Sequence, residues 1–168
     1  QPCAISEEAQ IRNAAAECVG LLTYIETETM LPYLDELFQN GSMYARWTVA
    51  DAMKLIFSRR VASSDHEVLG RALSNYLGPL LSAVEVDVRK AAIMATSNII
   101  HRNPALIVSP CTNSLTECTI LENVMPELLK AMEYRERIVI DVGYYKLYED
   151  RGLPLRSQAM ACMDTLLD

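Results

Sequence analysis

Four stretches of the chain repeat one pattern of apolar and polar positions. They run 11–18, 45–52, 88–95 and 155–162, and in each an apolar or small residue precedes an arginine: Arg12, Arg46, Arg89 and Arg156. Three positions after the arginine stand Ala15, Val49, Ala92 and Ala159. Six after it come Cys18, Ala52, Ala95 and Cys162, and ten after it Leu22, Ile56, Ile99 and Leu166. These offsets fall on one stripe of an α-helix, so each stretch is an amphipathic helix with a narrow seam of small residues. Such a seam lets helices approach closely. Between these helices lies a second kind. Residues 30–38 form its clearest copy, closed by Asn40-Gly41 as a helix C-terminus should be. Tyr76-Leu77-Gly78-Pro79 and Val124-Met125-Pro126 echo its Met30-Leu31-Pro32. A proline inside a helix removes a hydrogen bond, so these second helices are expected to begin or bend at the proline.

The array therefore reads as antiparallel helix pairs, a helix A followed by a helix B. Arg12 and Arg46 lie 34 residues apart, Arg46 and Arg89 43, and Arg89 and Arg156 67. The first two spacings match helical-pair repeats of about 34 to 47 residues, and the third is about half a repeat too long. Two irregular segments account for the excess. One, from 107 to 120, is polar with a mid-run proline and reads as a surface loop inserted in the array. The other runs from Ile138 to Gly152. It has no helical period and is β-branched and aromatic around Gly143, the composition of two strands and a turn. Its candidate partner-facing residues are Ile138, Ile140, Val142, Gly143, Tyr144, Tyr145, Lys146, Leu147, Tyr148 and Asp150. A lone hairpin is marginal in water, and its unpaired edges and tyrosines call for a protein partner. The alternative is that it folds back over its own repeat. The predicted fold is all-α: an α-α superhelix over 1–168 of about four helical pairs, with one β-hairpin inserted at 138–152.

Composition narrows the function. Of the 168 residues 51% are hydrophobic and 22% charged, which excludes a disordered tail. No run is long and apolar enough to span a membrane, and the start, Gln1-Pro2-Cys3, does not read as a signal peptide. The net charge is −7 and the 15 lysines and arginines are scattered, so nucleic acid is not an expected partner. Five widely spaced cysteines without a secretion signal point to a reducing setting, cytoplasmic or nuclear. The absence of an initiating Met and the end at Asp168 inside a helix B read as a piece of a longer array.

The candidates for chemistry have simpler roles. The repeated arginines Arg12, Arg46, Arg89 and Arg156 are expected to be structural, bonding a carboxylate in ladders between repeats or capping turns. His66 falls in a loop-like stretch, and His101 at the end of a helix B is favoured there by the helix dipole. Trp47 is expected to pack between repeats. A nucleophile built from His101 with Cys111 or Cys118 would need an orienting group and an oxyanion site that the pattern does not supply. Cys111 and Cys118 also lack the spacing of a structural zinc site. We therefore expect no catalytic residue, no metal and no cofactor.

Ile11-Arg12-Asn13, Leu31-Pro32, Tyr44-Ala45-Arg46, Val88-Arg89, Asn103-Pro104, Arg135-Glu136, Gly143, Tyr145-Lys146, Gly152-Leu153 and Thr165-Leu166-Leu167 follow one another in a set order. In these residues and their order the chain resembles the C-terminal region of the cullin-associated, neddylation-dissociated protein family, HEAT-repeat exchange factors of cullin-RING ubiquitin ligases. These residues span nearly the whole chain. The resemblance implies binding to an unneddylated cullin and its RING-box subunit, with the hairpin competing for the surface that receives the substrate-receptor adaptor, and so blocking neddylation while bound. The chain departs from the family in having Tyr144-Tyr145 where the family has Pro-Phe, and in a longer 107–120 loop. A generic HEAT-repeat scaffold, of the transport-receptor or phosphatase-scaffold type, is the alternative.

Overall fold

The computed structural model describes residues 3, 4, 8–39, 41–108 and 119–167. Four helices carry the arginine pattern: α1 (Ala9–Ile25), α3 (Met43–Ile56), α5 (Val86–Arg102) and α8 (Leu153–Leu167). They stack in order as one layer. The intervening helices α2 (Thr27–Gln39), α4 (His66–Leu81) and α7 (Ile120–Glu133) form the second layer, with the four-residue helix α6 (Pro104–Ile107) after α5. About four pairs are expected from the sequence; the described residues hold three A–B pairs preceded by α1, a helix B. A two-stranded sheet, β1 (Arg137–Asp141) and β2 (Lys146–Asp150), joins α7 to α8. The chain is thus a HEAT-like α-α superhelix with one inserted hairpin.

The core runs between the two layers as one continuous cluster. The small-residue stripe of the B helices lies in it: Val49, Ala52 and Ile56 of α3, Ala92, Ala95 and Ile99 of α5, and Ala159 and Cys162 of α8 are all buried. Leu31, Leu34 and Leu37 of α2, Leu73, Tyr76 and Leu80 of α4, and Val124 and Leu128 of α7 meet it from the A layer. On α1 the same stripe is open. Cys18 is exposed and Leu22 half-exposed, and Ile11 and Cys18 line an apolar groove with Met30 and Tyr33 of α2. The buried face of α1 is instead Arg12, Ala16, Gly20 and Thr23, which meets α3.

Two expectations change. The A helices do not begin at their prolines: Pro32, Pro79 and Pro126 each sit inside a helix. All three lie on exposed faces, and the carbonyls four residues earlier belong to the exposed Glu28, Asn75 and Glu122. Water can reach those carbonyls, so the lost hydrogen bond leaves no buried orphan. His66 starts α4 rather than lying in a loop, after a single 3-10 turn at Ser63–Asp65. The surface loop expected at 107–120 lies mostly outside the described residues. At its edges Ile107 is buried in α6, and Thr119 begins α7 with a capping box, its backbone N–H donating to Glu122 Oε2 at 2.7 Å.

Side-chain hydrogen bonds tie one repeat to the next. Asparagines from α5 and its end reach back about one repeat. Asn98 Nδ2 donates to Lys54 O at 2.9 Å. Asn103 is buried; its Nδ2 donates to Arg59 O at 2.9 Å and its Oδ1 accepts from Val61 N–H at 2.9 Å. These bonds satisfy backbone near the end of α3 and in the loop after it, and the Val61 N–H among them is buried. Two of the arginines lie over aromatic rings of the next repeat. The Arg12 guanidinium is 4.1 Å from the Trp47 ring centre and 5.1 Å from that of Tyr44, and Arg89 is 4.3 Å from the Tyr134 ring. Arg156 pairs with the Asp150 carboxylate, and that pairing belongs to the hairpin.

Helix approach can be tested at two glycines. A Cβ at Gly20 would come within 3.0 Å of both the Ala52 carbonyl oxygen and Leu55 Cβ, whereas one at Gly78 meets nothing within 4 Å. Gly20→Val is expected to destabilise the chain by about 1–3 kcal/mol through overpacking. Gly78→Ala meets open space beyond its chain neighbours, though Pro79 crowds a Cβ on the residue before it, and it should cost less than Gly20→Val. Urea unfolding of the two variants checks the order.

Candidate functional site

The hairpin stands clear of the helices. Its strands pair antiparallel with Arg137 opposite Asp150, Ile138 opposite Glu149, Val139 opposite Tyr148, Ile140 opposite Leu147 and Asp141 opposite Lys146. All residues from 139 to 149 are exposed, and only Ile138 and Asp150 at the root are partly covered. The alternative, a hairpin folded back over its own repeat, is therefore not the arrangement seen. Side chains alternate across a strand, so the register sorts the hairpin into two faces. Ile138, Ile140 and Leu147 share one face with Glu149. The other carries Val139 and Tyr148 between two opposite-charge pairs, Arg137 with Asp150 and Asp141 with Lys146.

The turn is Val142-Gly143-Tyr144-Tyr145. Val142 N–H donates to Tyr145 O at 3.2 Å and closes it. Gly143 adopts φ +88°, a left-handed conformation that only glycine takes at little cost, and Asp141 Oδ1 accepts from its N–H at 2.9 Å. At the tip the Tyr144 side chain is 101% exposed, and Tyr148 on β2 is 71% exposed. Large apolar side chains held this far into solvent are uncommon on a protein surface with no partner.

The root is built differently. Arg156, in the first turn of α8, donates from Nη2 to Asp150 Oδ2 at 2.6 Å and from Nη1 to Asp150 Oδ1 at 3.2 Å. The same Nη1 donates to the carbonyl of Tyr134 at 2.8 Å, at the end of α7. One guanidinium thus holds the chain where it enters the hairpin and where it leaves. Arg151 N–H donates to Glu136 O at 2.8 Å, continuing the ladder below the strands, and Asp150 Oδ1 also accepts from Gly152 N–H at 3.0 Å. Hydrogen bonding and charge attraction from the Arg156 guanidinium outweigh desolvation, which acts in the opposite sense, and hold the Asp150 carboxyl below the usual aspartate range.

Of the residues singled out in the sequence, the structure gathers Ile138, Ile140 and Leu147 on one face and Val142, Gly143, Tyr144 and Tyr145 in the turn. Lys146 and Tyr148 lie on the opposite face. Asp150 stands apart from them, its carboxylate taken up by Arg156. Sequence reasoning passed over Val139 and Arg137, which the strand alternation could have placed, and Tyr134, whose part is played by a backbone carbonyl. Among the four arginines, Arg46 lines a shallow groove with Phe38 and Val84. Of the other candidates for chemistry, Cys111 and Cys118 lie outside the described residues, and burial pushes the Cys162 thiol up to about 12. No group of three or more metal-ligating side chains occurs among the described residues, nor a helix long and apolar enough to cross a membrane.

The low Asp150 pKa sets a pH dependence. A carboxyl whose folded pKa is depressed lends stability above its ordinary value, about 3.9, and loses it as pH falls through the lower folded value. Amide exchange of 138–149, corrected for intrinsic rates, should show constant protection between pH 7 and pH 5. Protection should fall below pH 3.9 or so.

No family model matches the chain. Individual relatives do. The chain is 31% identical over 165 residues to cullin-associated NEDD8-dissociated protein 1 of Arabidopsis thaliana, covering 97% of this chain and 13% of that protein. It is 30% identical over 164 residues to the protein of the same name from Dictyostelium discoideum, 98% of this chain and 12% of that one. A "C-terminal part" of cullin-associated NEDD8-dissociated protein 1 from Emericella nidulans is 26% identical over 166 residues, covering 98% of this chain and 15% of that protein. The chain thus spans about an eighth of the length of the first two relatives. From end to end, this helical stack and its hairpin are related to a segment of the cullin-associated NEDD8-dissociated proteins.

Proposed function

We propose that the chain is a cullin-binding element of an assembly and exchange factor, and that its hairpin is the part that enters the partner. The observation that carries this reading is the exposed hairpin itself, with Ile138, Ile140 and Leu147 on one face and Tyr144 at its tip. The relatives' names, which speak of cullin association and of NEDD8 dissociation, supply the partner. On this reading the chain holds an unneddylated cullin with its RING-box subunit, and the hairpin occupies the surface that an adaptor with its substrate receptor would otherwise take. The mechanism is steric competition. It needs neither a cofactor nor a covalent step, and the chain acts as a scaffold in the cytoplasm and nucleus.

Two large apolar side chains side by side on a strand pair can dominate an interface, since a few residues carry most binding energy. The double variant Ile140→Ser with Leu147→Ser keeps the hairpin's backbone bonds and removes its apolar face. Titrated against a cullin–RING-box complex, it should bind at least about 10-fold more weakly than the parent chain, a loss of about 1.4 kcal/mol. Excess adaptor should displace the parent chain. Equal binding of parent and variant would contradict the hairpin's role; a folded parent chain that binds no cullin would return the array to the generic scaffold class.

A further inference from the structure

We propose that Arg156, acting with Asp150, Tyr134, Gly152 and Arg89, is a lock that fixes the direction of the hairpin relative to the helix stack, which makes Arg156 and Arg89 positioning residues for whatever the hairpin binds. A two-stranded hairpin on flexible joints would sample many directions, and ordering it on binding would cost affinity. The structure shows the joints closed. The Arg156 side chain is 12% exposed, and its planar fork meets three oxygens: both of Asp150 and the carbonyl of Tyr134. Those oxygens lie on opposite sides of the excursion from 135 to 151, so a single side chain rooted in α8 ties both of its ends.

The lock has a floor and a wall. Its floor is the Tyr134 ring, covered by the Arg89 guanidinium of α5 at 4.3 Å and held in plane by its hydroxyl, which donates to Glu136 Oε2 at 2.9 Å. The Tyr134 carbonyl is therefore tied to two successive B helices, by its own residue's ring to α5 and by its oxygen to α8. The wall is Gly152. A Cβ there would stand 2.9 Å from Tyr134 O, 3.0 Å from Arg156 Nη1 and 3.1 Å from Glu136 N, so only glycine lets the two ends of the excursion close on the guanidinium. Lysine cannot replace Arg156, because one ammonium on a flexible stem does not present parallel donors to a carboxylate and a third to a carbonyl.

The test reads the hairpin without any partner. Hydrogen exchange on the whole chain should show the amides of Ile138, Ile140, Leu147 and Glu149 exchanging at least about 10-fold faster in Arg156→Lys than in the parent, because a hairpin freed at its root is marginal alone. Exchange in α3 and α5 should not change. Arg46→Lys, at the same pattern position in α3, serves as the control and should leave the hairpin as it was. Unchanged hairpin exchange in Arg156→Lys would overturn the lock. The consequence for binding rests on the cullin reading. With the apolar face intact, Arg156→Lys should still weaken cullin–RING-box binding several-fold, and full-strength binding by a loosened hairpin would overturn the positioning role. A parent chain that fails to bind cullin sinks that reading alone, while the exchange result still decides the lock.

Discussion

The structure depends on how closely successive B helices can approach. An A–B pair buries one face against its own partner and must bury another against the next pair, so a repeat of this kind is stable only within a stack. In the B layer the contact is made by backbone as much as by side chains. Gly20 of α1 lies against the Ala52 carbonyl, and Ala52, Ala92, Ala95, Ala159 and Cys162 leave room for the larger A-layer side chains Leu34, Tyr76 and Leu80. Cores of this density transmit displacement rather than absorb it. A helix set in this layer is a firm base for anything attached to its end.

The hairpin is attached at such an end. Everything between α7 and α8 above the root is solvent-exposed, and everything at the root is bonded. That division is the physical content of the candidate site: a rigid mount below and an apolar and aromatic surface above. Charge is arranged to match. The opposite-charge pairs across the strands, Arg137 with Asp150 and Asp141 with Lys146, lie on the face away from Ile138, Ile140 and Leu147. The face of Ile138, Ile140 and Leu147 is the more apolar of the two, and the other sets the exposed Val139 and Tyr148 among charges.

Much of this was legible in the sequence because it is periodic. The arginine-led stripe located all four B helices, and β-branched residues around Gly143 located the hairpin to within a residue or two of its strands. Features that depend on non-local geometry were not legible. Composition does not say which face of an A helix is wet, so it could not tell that the prolines sit inside those helices, where water can replace the lost bond. Asn98 and Asn103 reach backbone of the previous repeat, a tie that residue type alone does not announce. The Arg156 clamp closes partly on a main-chain oxygen, that of Tyr134, and no residue identity announces that. Asp150 reads in the sequence as a candidate partner-facing residue, and in the structure its carboxylate turns toward Arg156 of α8.

The most direct measurement is a hydrogen-exchange footprint of the chain with and without a cullin–RING-box complex. The account predicts new protection concentrated in 138–148, including the Gly143–Tyr145 turn, with exchange at the Arg156 root already slow in the free chain and little altered. Protection confined to the helices, with the hairpin amides unchanged by the partner, would contradict it.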